Sequence, residues 1–149
     1  QHVISFLKTK NYKETAVLTE SIGAGVASYH ASLLPPDRML FIAPFDSLTN
    51  AARSHFPFFL YPISLMVKFS KENYDNIPLL QEYKGTLTIV HGGNDRIIPL
   101  KHGKALFDKA LTPNKKFVVI EGAGHNDLYD FDEAREAISS FLFFDKGNY

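Results

Sequence analysis

Hydrophobic positions along the chain are concentrated in short runs that alternate with amphipathic segments. Four of these runs predict buried strands, at residues 15–18, 38–43, 85–91 and 116–121. Segments with helical spacing lie around them, at residues 1–10, 24–34, 99–111 and 130–144. Strands that alternate with helices predict an α/β fold, in which right-handed crossovers build a parallel sheet with flanking helices.

One stretch, from residue 45 to residue 84, departs from this alternation. Asp46 or Ser47 is expected to cap a helix at its start, and many aromatic residues follow between Phe56 and Phe69. Two interpretations stay open: helices that cover the core, or a helical cap with an aromatic face over a substrate pocket. Aromatic residues at helical spacing usually pack inward, which favours core cover.

Composition excludes several classes of function. Sixteen basic and sixteen acidic residues cancel, and no basic stripe indicates a nucleic-acid partner. Because cysteine is absent, we exclude a disulfide framework and a thiol nucleophile. Four histidines have no carboxylate or second histidine at ligand spacing, so we expect no metal site and no cofactor: His2, His30, His55 and His102.

No segment predicts a targeting signal or a membrane span. The longest apolar run, from Phe56 to Val67, is too short to cross a bilayer and contains two prolines. No secretory pattern opens the chain, which favours a cytoplasmic location but leaves the compartment undetermined. Because the sequence starts at Gln1 rather than at a methionine, we expect a processed or truncated piece.

Ser21 stands between the first predicted strand and the helix that follows it. A strand, a tight turn, a serine and a helix are the parts of a nucleophile elbow, and small residues such as Gly23 and Gly25 give the turn room. The usual glycine two residues before the serine is replaced by Thr19. The alternative interpretation is that Ser21 is a helix N-cap.

Two further polar residues follow strands in the same way. Asp95 follows the third predicted strand and His125 the fourth. Loops that leave the carboxyl ends of parallel strands meet at one edge of the sheet, so we expect Ser21, Asp95 and His125 to converge there. A histidine can remove the proton of a serine hydroxyl, and a carboxylate behind the imidazole fixes its tautomer.

The order serine, aspartate, histidine along the chain is that of the α/β-hydrolases. The chain resembles the C-terminal half of an α/β-hydrolase, closest to the serine-aminopeptidase-like branch. Four segments carry the resemblance: Thr-Glu-Ser-Ile-Gly-Ala-Gly at 19–25, Ile-Ala-Pro-Phe-Asp-Ser-Leu at 42–48, Ile-Val-His-Gly-Gly-Asn-Asp-Arg-Ile-Ile-Pro at 89–99 and Glu-Gly-Ala-Gly-His-Asn-Asp-Leu at 121–128.

This resemblance implies a role for each site residue. Ser21 would be the nucleophile, His125 the general base and Asp95 the orienting acid, while the backbone N–H of Ile22 would donate to the oxyanion. Residues 1–149 would be the C-terminal portion of one domain, containing the last four strands of the fold and residues 45–84 as helical cap or core cover. The expected substrate is a small-molecule ester, an amide or a short peptide.

Part of the fold that the resemblance implies is not in this sequence. The family builds its second oxyanion donor from a loop earlier in the fold, and the strand at 15–18 would be an open edge. We therefore expect either a second chain or segment at this edge, or self-association through it. The alternative to a hydrolase is a truncated or non-catalytic member that acts as a binding or assembly module.

Other residues near these loops receive structural interpretations. Asp127 is expected to begin the last helix or to border the pocket, because its two-residue spacing from His125 gives poor geometry for an orienting bond. Asp46, a candidate substitute acid, is better explained as a cap. His91 is expected to be a hydrogen-bonded residue at the end of a strand. Glu20 is expected either to contact substrate or to be solvated or structural.

Overall fold

A computed structural model describes residues 2–10, 12–55 and 74–143. The helices and strands in chain order are α1 (His2–Lys8), β1 (Ala16–Glu20), α2 (Gly23–Leu33), β2 (Arg38–Ile42), α3 (Leu48–His55), α4 (Asn76–Gln81), β3 (Thr86–Gly92), α5 (Leu100–Lys109), β4 (Lys115–Ile120) and α6 (Asp132–Leu142). A short 3₁₀ turn at Leu128–Asp130 precedes α6.

The strands form one parallel sheet in the order β1-β2-β3-β4. This confirms the predicted α/β fold with flanking helices. The two central strands are almost entirely buried, as expected of a parallel sheet covered on both faces. β1 lies at one edge of the described sheet, and alternate residues along it are exposed.

Successive residues of β2 point to opposite faces of the sheet and divide the core in two. On one face, buried side chains of the sheet pack beneath α2, α4 and α5: Met39, Phe41, Leu87 and Ile89. On the other face, α6 covers a second buried set: Leu40, Ile42, Val90 and Ile120. Burial of each such side chain contributes about 1.5–3 kcal/mol to stability, so the core fixes the strands from which the site loops leave.

Some predicted details differ from the structure. The strand predicted at 15–18 extends to Glu20, because Thr19 and Glu20 continue the pairing with β2. Leu111 and Leu142 fall within the helical segments predicted at 99–111 and 130–144, but both are exposed, since α5 ends before Leu111 and Leu142 lies at the end of α6. The aromatic segment predicted as cap or core cover, residues 56–69, lies outside the described residues. Among those described, no helix is long and apolar enough to cross a bilayer.

Candidate active site

Ser21 lies in a sharp turn at the carboxyl end of β1. Its φ is +50°, a left-handed conformation that is uncommon for residues other than glycine and that costs about 1–3 kcal/mol. The surrounding sheet holds it there, because the Ser21 N–H donates to the Ile42 carbonyl at 2.8 Å. The N-cap position of α2 is occupied by Ile22 and not by Ser21. The serine hydroxyl is therefore free to point away from the helix.

Gly23 explains how the turn accommodates Thr19. A Cβ at position 23 would overlap the side-chain oxygen of Thr19. The family's usual glycine at the position of Thr19 is thus absent, but the space that Thr19 fills is provided by the glycine at position 23. The departure from the usual motif is compatible with the tight turn.

Asp95 is buried in the loop after β3, with its side chain fully enclosed. Its Oδ1 accepts hydrogen bonds from the backbone N–H groups of Ile97 at 2.9 Å and Ile98 at 2.7 Å. These bonds stabilise an ionised carboxylate and fix its orientation. The second carboxylate oxygen is left to face His125.

The loop that carries His125 packs directly against the end of β3. A Cβ at Gly92 would lie 2.5 Å from the carbonyl oxygens of both Ala123 and Gly124, so only glycine permits this approach. The Asn94 N–H donates to the Ala123 carbonyl at 2.8 Å. The aspartate loop and the histidine loop are therefore held as one unit.

The three predicted residues are joined by two hydrogen bonds. His125 Nδ1 lies 2.6 Å from Asp95 Oδ2, and His125 Nε2 lies 2.9 Å from Ser21 Oγ. Because a carboxylate only accepts, Nδ1 carries the proton, and Nε2 of the neutral ring accepts from the serine hydroxyl. This is the arrangement in which a histidine can act as general base toward a serine.

Behind Asp95, the imidazole of His91 is fully buried. Its Nε2–H donates to the Ile98 carbonyl at 2.8 Å and lies 3.5 Å from Asp95 Oδ2. Burial lowers the pKa of His91, against weaker opposing effects of the Ile98 carbonyl and the Asp95 charge. A neutral imidazole therefore supports the aspartate loop, in the hydrogen-bonded role expected at the end of a strand.

Known proteins share this fold. A family profile described as alpha/beta hydrolase fold matches residues 64–132. The acetyl xylan esterase from Paenibacillus sp. R4 is similar in structure, with a TM-score of 0.68 and 17% sequence identity over 92% of this chain and 49% of that chain. The chain belongs to the α/β-hydrolase superfamily. The narrower resemblance to the serine-aminopeptidase-like branch stays a prediction.

Curated relatives of this α/β-hydrolase chain are considerably longer than the chain itself. An uncharacterised protein of Mycobacterium tuberculosis is 32% identical over 129 residues, which are 85% of this chain and 44% of that protein. The lysophosphatidylserine lipase ABHD12 of Xenopus tropicalis is 28% identical over an alignment of 169 residues, which covers 95% of this chain and 42% of that protein. The chain thus spans less than half the length of these two relatives.

The backbone N–H predicted as an oxyanion donor lies beside the serine of this hydrolase fold. In the part of the chain that the structure describes, no backbone carbonyl accepts a hydrogen bond from Ile22 N–H, whereas the N–H groups of Ala24 and Gly25 donate to the carbonyls of Ser21 and Ile22. The N-terminus of α2 follows directly, and its partial positive charge favours an anion there. The group is therefore available to a ligand.

Two carboxylates near the site have structural partners. Asp127 Oδ1 accepts from the Gly124 N–H at 2.6 Å, so it shapes the histidine loop and does not orient His125. Glu20 accepts from the Tyr129 hydroxyl at 2.9 Å. Burial and this hydrogen bond raise the pKa of Tyr129 to about 12, which keeps the phenol protonated and ties β1 to the 3₁₀ turn.

A further histidine–aspartate pair lies apart from His125 and Asp95 and was not predicted from the sequence. The sequence has no carboxylate at ligand spacing from His102, but in the structure His102 Nδ1 lies 2.7 Å from Asp46 Oδ1. The two are far apart in sequence, and the packing of α5 beside the loop after β2 brings them together, so no spacing could have predicted the contact.

The helix cap expected from Asp46 or Ser47 is Ser47, whose Oγ accepts from Asn50 N–H at 3.1 Å. Within the described ranges, no three potential metal ligands cluster.

Proposed function

We propose that the protein is a serine hydrolase that acts through an acyl-enzyme formed on Ser21. The observation that carries this proposal is the continuous hydrogen-bonded chain from Ser21 Oγ through His125 to Asp95, with contacts of 2.9 and 2.6 Å. The left-handed backbone at Ser21 supports it, since strained serines of this kind are found at nucleophilic sites.

The proposed reaction divides into two transfers of the acyl group. In the first, Ser21 Oγ attacks the carbonyl carbon while His125 Nε2 takes the hydroxyl proton and then gives it to the leaving group. In the second, water attacks the acyl-serine, and His125 returns a proton to Ser21 as the acid leaves. Asp95 stabilises the charged imidazole in both, and the Ile22 N–H donates to the developing oxyanion.

We propose an ester as the bond that is cleaved, ahead of an amide or short peptide. The names of the related lysophosphatidylserine lipase and acetyl xylan esterase favour an ester. One fold hosts many reactions, so these names support the bond type and leave the acyl and alcohol groups open. No cofactor takes part in the proposed chemistry, and no nucleic-acid or metal partner is proposed.

The test is covalent labelling with an alkyl fluorophosphonate, followed by peptide mapping by mass spectrometry. We expect an adduct on Ser21 in the wild-type protein and none at position 21 in Ser21→Ala. Ser32→Ala is the matched control, because Ser32 is a helical serine whose hydroxyl donates to the Tyr29 carbonyl. A folded protein without an adduct at Ser21 would contradict the proposal and favour a binding or assembly module.

We also propose that a second copy of the chain associates through β1. Leu18 on this edge is exposed, and with Val3 and Val26 it lines an apolar cavity of about 600 Å³ between α1, β1 and α2. Unpaired strand edges and apolar surface favour pairing with another chain. Size-exclusion chromatography with light scattering is expected to show a dimer that Leu18→Lys converts to monomer; a stable wild-type monomer would exclude this association.

A further inference from the structure

Three side chains apart from Ser21, His125 and Asp95 form a second chain of hydrogen bonds with the same residue types. His102 Nδ1 lies 2.7 Å from Asp46 Oδ1, and His102 Nε2 lies 2.9 Å from Ser54 Oγ. Asp46 follows β2, Ser54 lies near the end of α3, and His102 lies in the first turn of α5. We propose that Ser54, His102 and Asp46 form a second serine-nucleophile site, which hydrolyses esters that carry an anionic group.

The Asp46 carboxylate decides which nitrogen of His102 carries a proton. It is held by the Ser47 N–H at 2.7 Å and the Asn50 side-chain amide at 2.8 Å. Burial raises the pKa of Asp46, but the hydrogen bonds from His102, Asn50 and Ser47, together with the positive charge of protonated His102, outweigh burial and bring the pKa below its usual value. An ionised carboxylate only accepts, so His102 Nδ1 donates, and when the ring is neutral Nε2 faces Ser54 as an acceptor.

The hydroxyl of Ser54 has two acceptors within reach. Its Oγ lies 2.9 Å from His102 Nε2 and 3.1 Å from the Asn50 carbonyl, and one proton serves one of them at a time. Donation to His102 is favoured, because otherwise two lone pairs would face each other across the shorter contact. In this arrangement the imidazole can remove the proton and activate Ser54. Donation to Asn50, with a charged His102, would make Ser54 a structural residue.

The surroundings of Ser54 indicate the charge of the substrate. A cavity of about 360 Å³ is lined by Ser54 and His102 together with Arg53 and Lys101. Cationic side chains bind anionic substituents and stabilise negative charge that develops on a carbonyl oxygen. The same cavity is lined by the candidate nucleophile, its base, the Asp46 carboxylate that binds the base, and two cationic side chains, which fits an ester with a carboxylate or phosphate substituent.

The proposed step conserves atoms and protons. Ser54 Oγ forms a bond to the ester carbonyl carbon, and His102 Nε2 takes the serine proton. The bond from that carbon to the alcohol oxygen then breaks, and the proton moves from His102 to the departing alcohol. Water repeats the sequence on the acyl-serine: His102 takes one proton of the water, the carboxylic acid leaves, and the proton returns to Ser54.

Fluorophosphonate labelling of the Ser21→Ala variant tests this site without the first one. Trypsin separates the two serines, because Ser21 lies between Lys13 and Arg38 while Ser54 directly follows Arg53. We expect an adduct on Ser54 that is absent from the double variant Ser21→Ala/Ser54→Ala. Replacing His102 with glutamine in the Ser21→Ala background should slow labelling of Ser54 about 100-fold or more, the usual contribution of a general base.

The controls separate a reactive serine from a structural one. Ser21→Ala/Ser32→Ala removes another helical serine with a backbone acceptor and should label at Ser54 like Ser21→Ala. His102→Gln can loosen the packing of α3 against α5, so thermal unfolding is measured for every variant. Ser54→Ala is the milder comparison with His102→Gln, because it removes a single hydroxyl. A folded Ser21→Ala protein that gains no adduct at Ser54 would overturn the proposal, whatever the result at Ser21 in the wild-type protein.

Discussion

Replacement of Ser21 or His125 by alanine is expected to lower kcat for hydrolysis of a p-nitrophenyl ester by a factor on the order of 10⁶. The double variant should be no slower than either single variant. The reason is the 2.9 Å contact between Ser21 Oγ and His125 Nε2: the proton that leaves one atom arrives at the other, so neither residue contributes fully without its partner. Steady-state kinetics on the four proteins measure the coupling.

These rates are best compared in a Ser54→Ala background, so that hydrolysis at the second proposed site does not set the residual rate. Ser32→Ala in the same background is the matched control and should keep the parent rate, because Ser32 is an exposed helical serine whose hydroxyl donates to the Tyr29 carbonyl. Losses that multiply in the double variant would contradict a shared proton transfer. A His125→Ala variant that retains most of its activity would remove His125 from the site.

Replacement of Asp95 by asparagine is expected to lower kcat by a factor on the order of 10⁴. The amide oxygen can still accept from the N–H groups of Ile97 and Ile98, which orients the amide nitrogen toward His125. An amide N–H facing His125 Nδ1 stabilises the tautomer whose proton is on Nε2. That tautomer cannot accept the proton of Ser21.

Asp127→Asn provides the control for the Asp95 experiment. Asp127 is also close to the histidine, but its oxygen accepts from the Gly124 N–H, and an asparagine keeps an acceptor there. We expect the kcat of Asp127→Asn to lie within about tenfold of the parent value, because the substitution weakens one charge-assisted hydrogen bond. Near-normal turnover in Asp95→Asn, with a normal thermal unfolding curve, would exclude Asp95 as the orienting acid.

The sheet could be predicted because buried parallel strands leave a clear pattern in sequence. β2 is an almost continuous apolar run and β3 is a run built around Leu87, Ile89 and Val90, and both lie in the covered centre of the sheet. The candidate site could be predicted in outline for a related reason: Ser21, Asp95 and His125 each follow such a run beside a glycine. The structure brings these three residues together at one edge of the sheet.

Other features depend on packing between distant elements and had no sequence pattern. The end of β1 was underestimated because Thr19 and Glu20 are polar, yet their backbones continue the ladder to β2. The contact of His102 with Asp46 depends on how α5 lies against the loop after β2. Neither helical period nor ligand spacing contains that information, since the partners are remote along the chain.

The most direct test of the central claim is to trap the acyl-enzyme. The protein is mixed with p-nitrophenyl acetate, quenched with acid during turnover, and digested for mass spectrometry. Acetyl ester on Ser21 in the wild-type protein, accumulating before the steady state, is the result we predict. Continuing hydrolysis with no acetyl group on Ser21, or with acetyl only on another residue, would contradict a mechanism built on Ser21, His125 and Asp95.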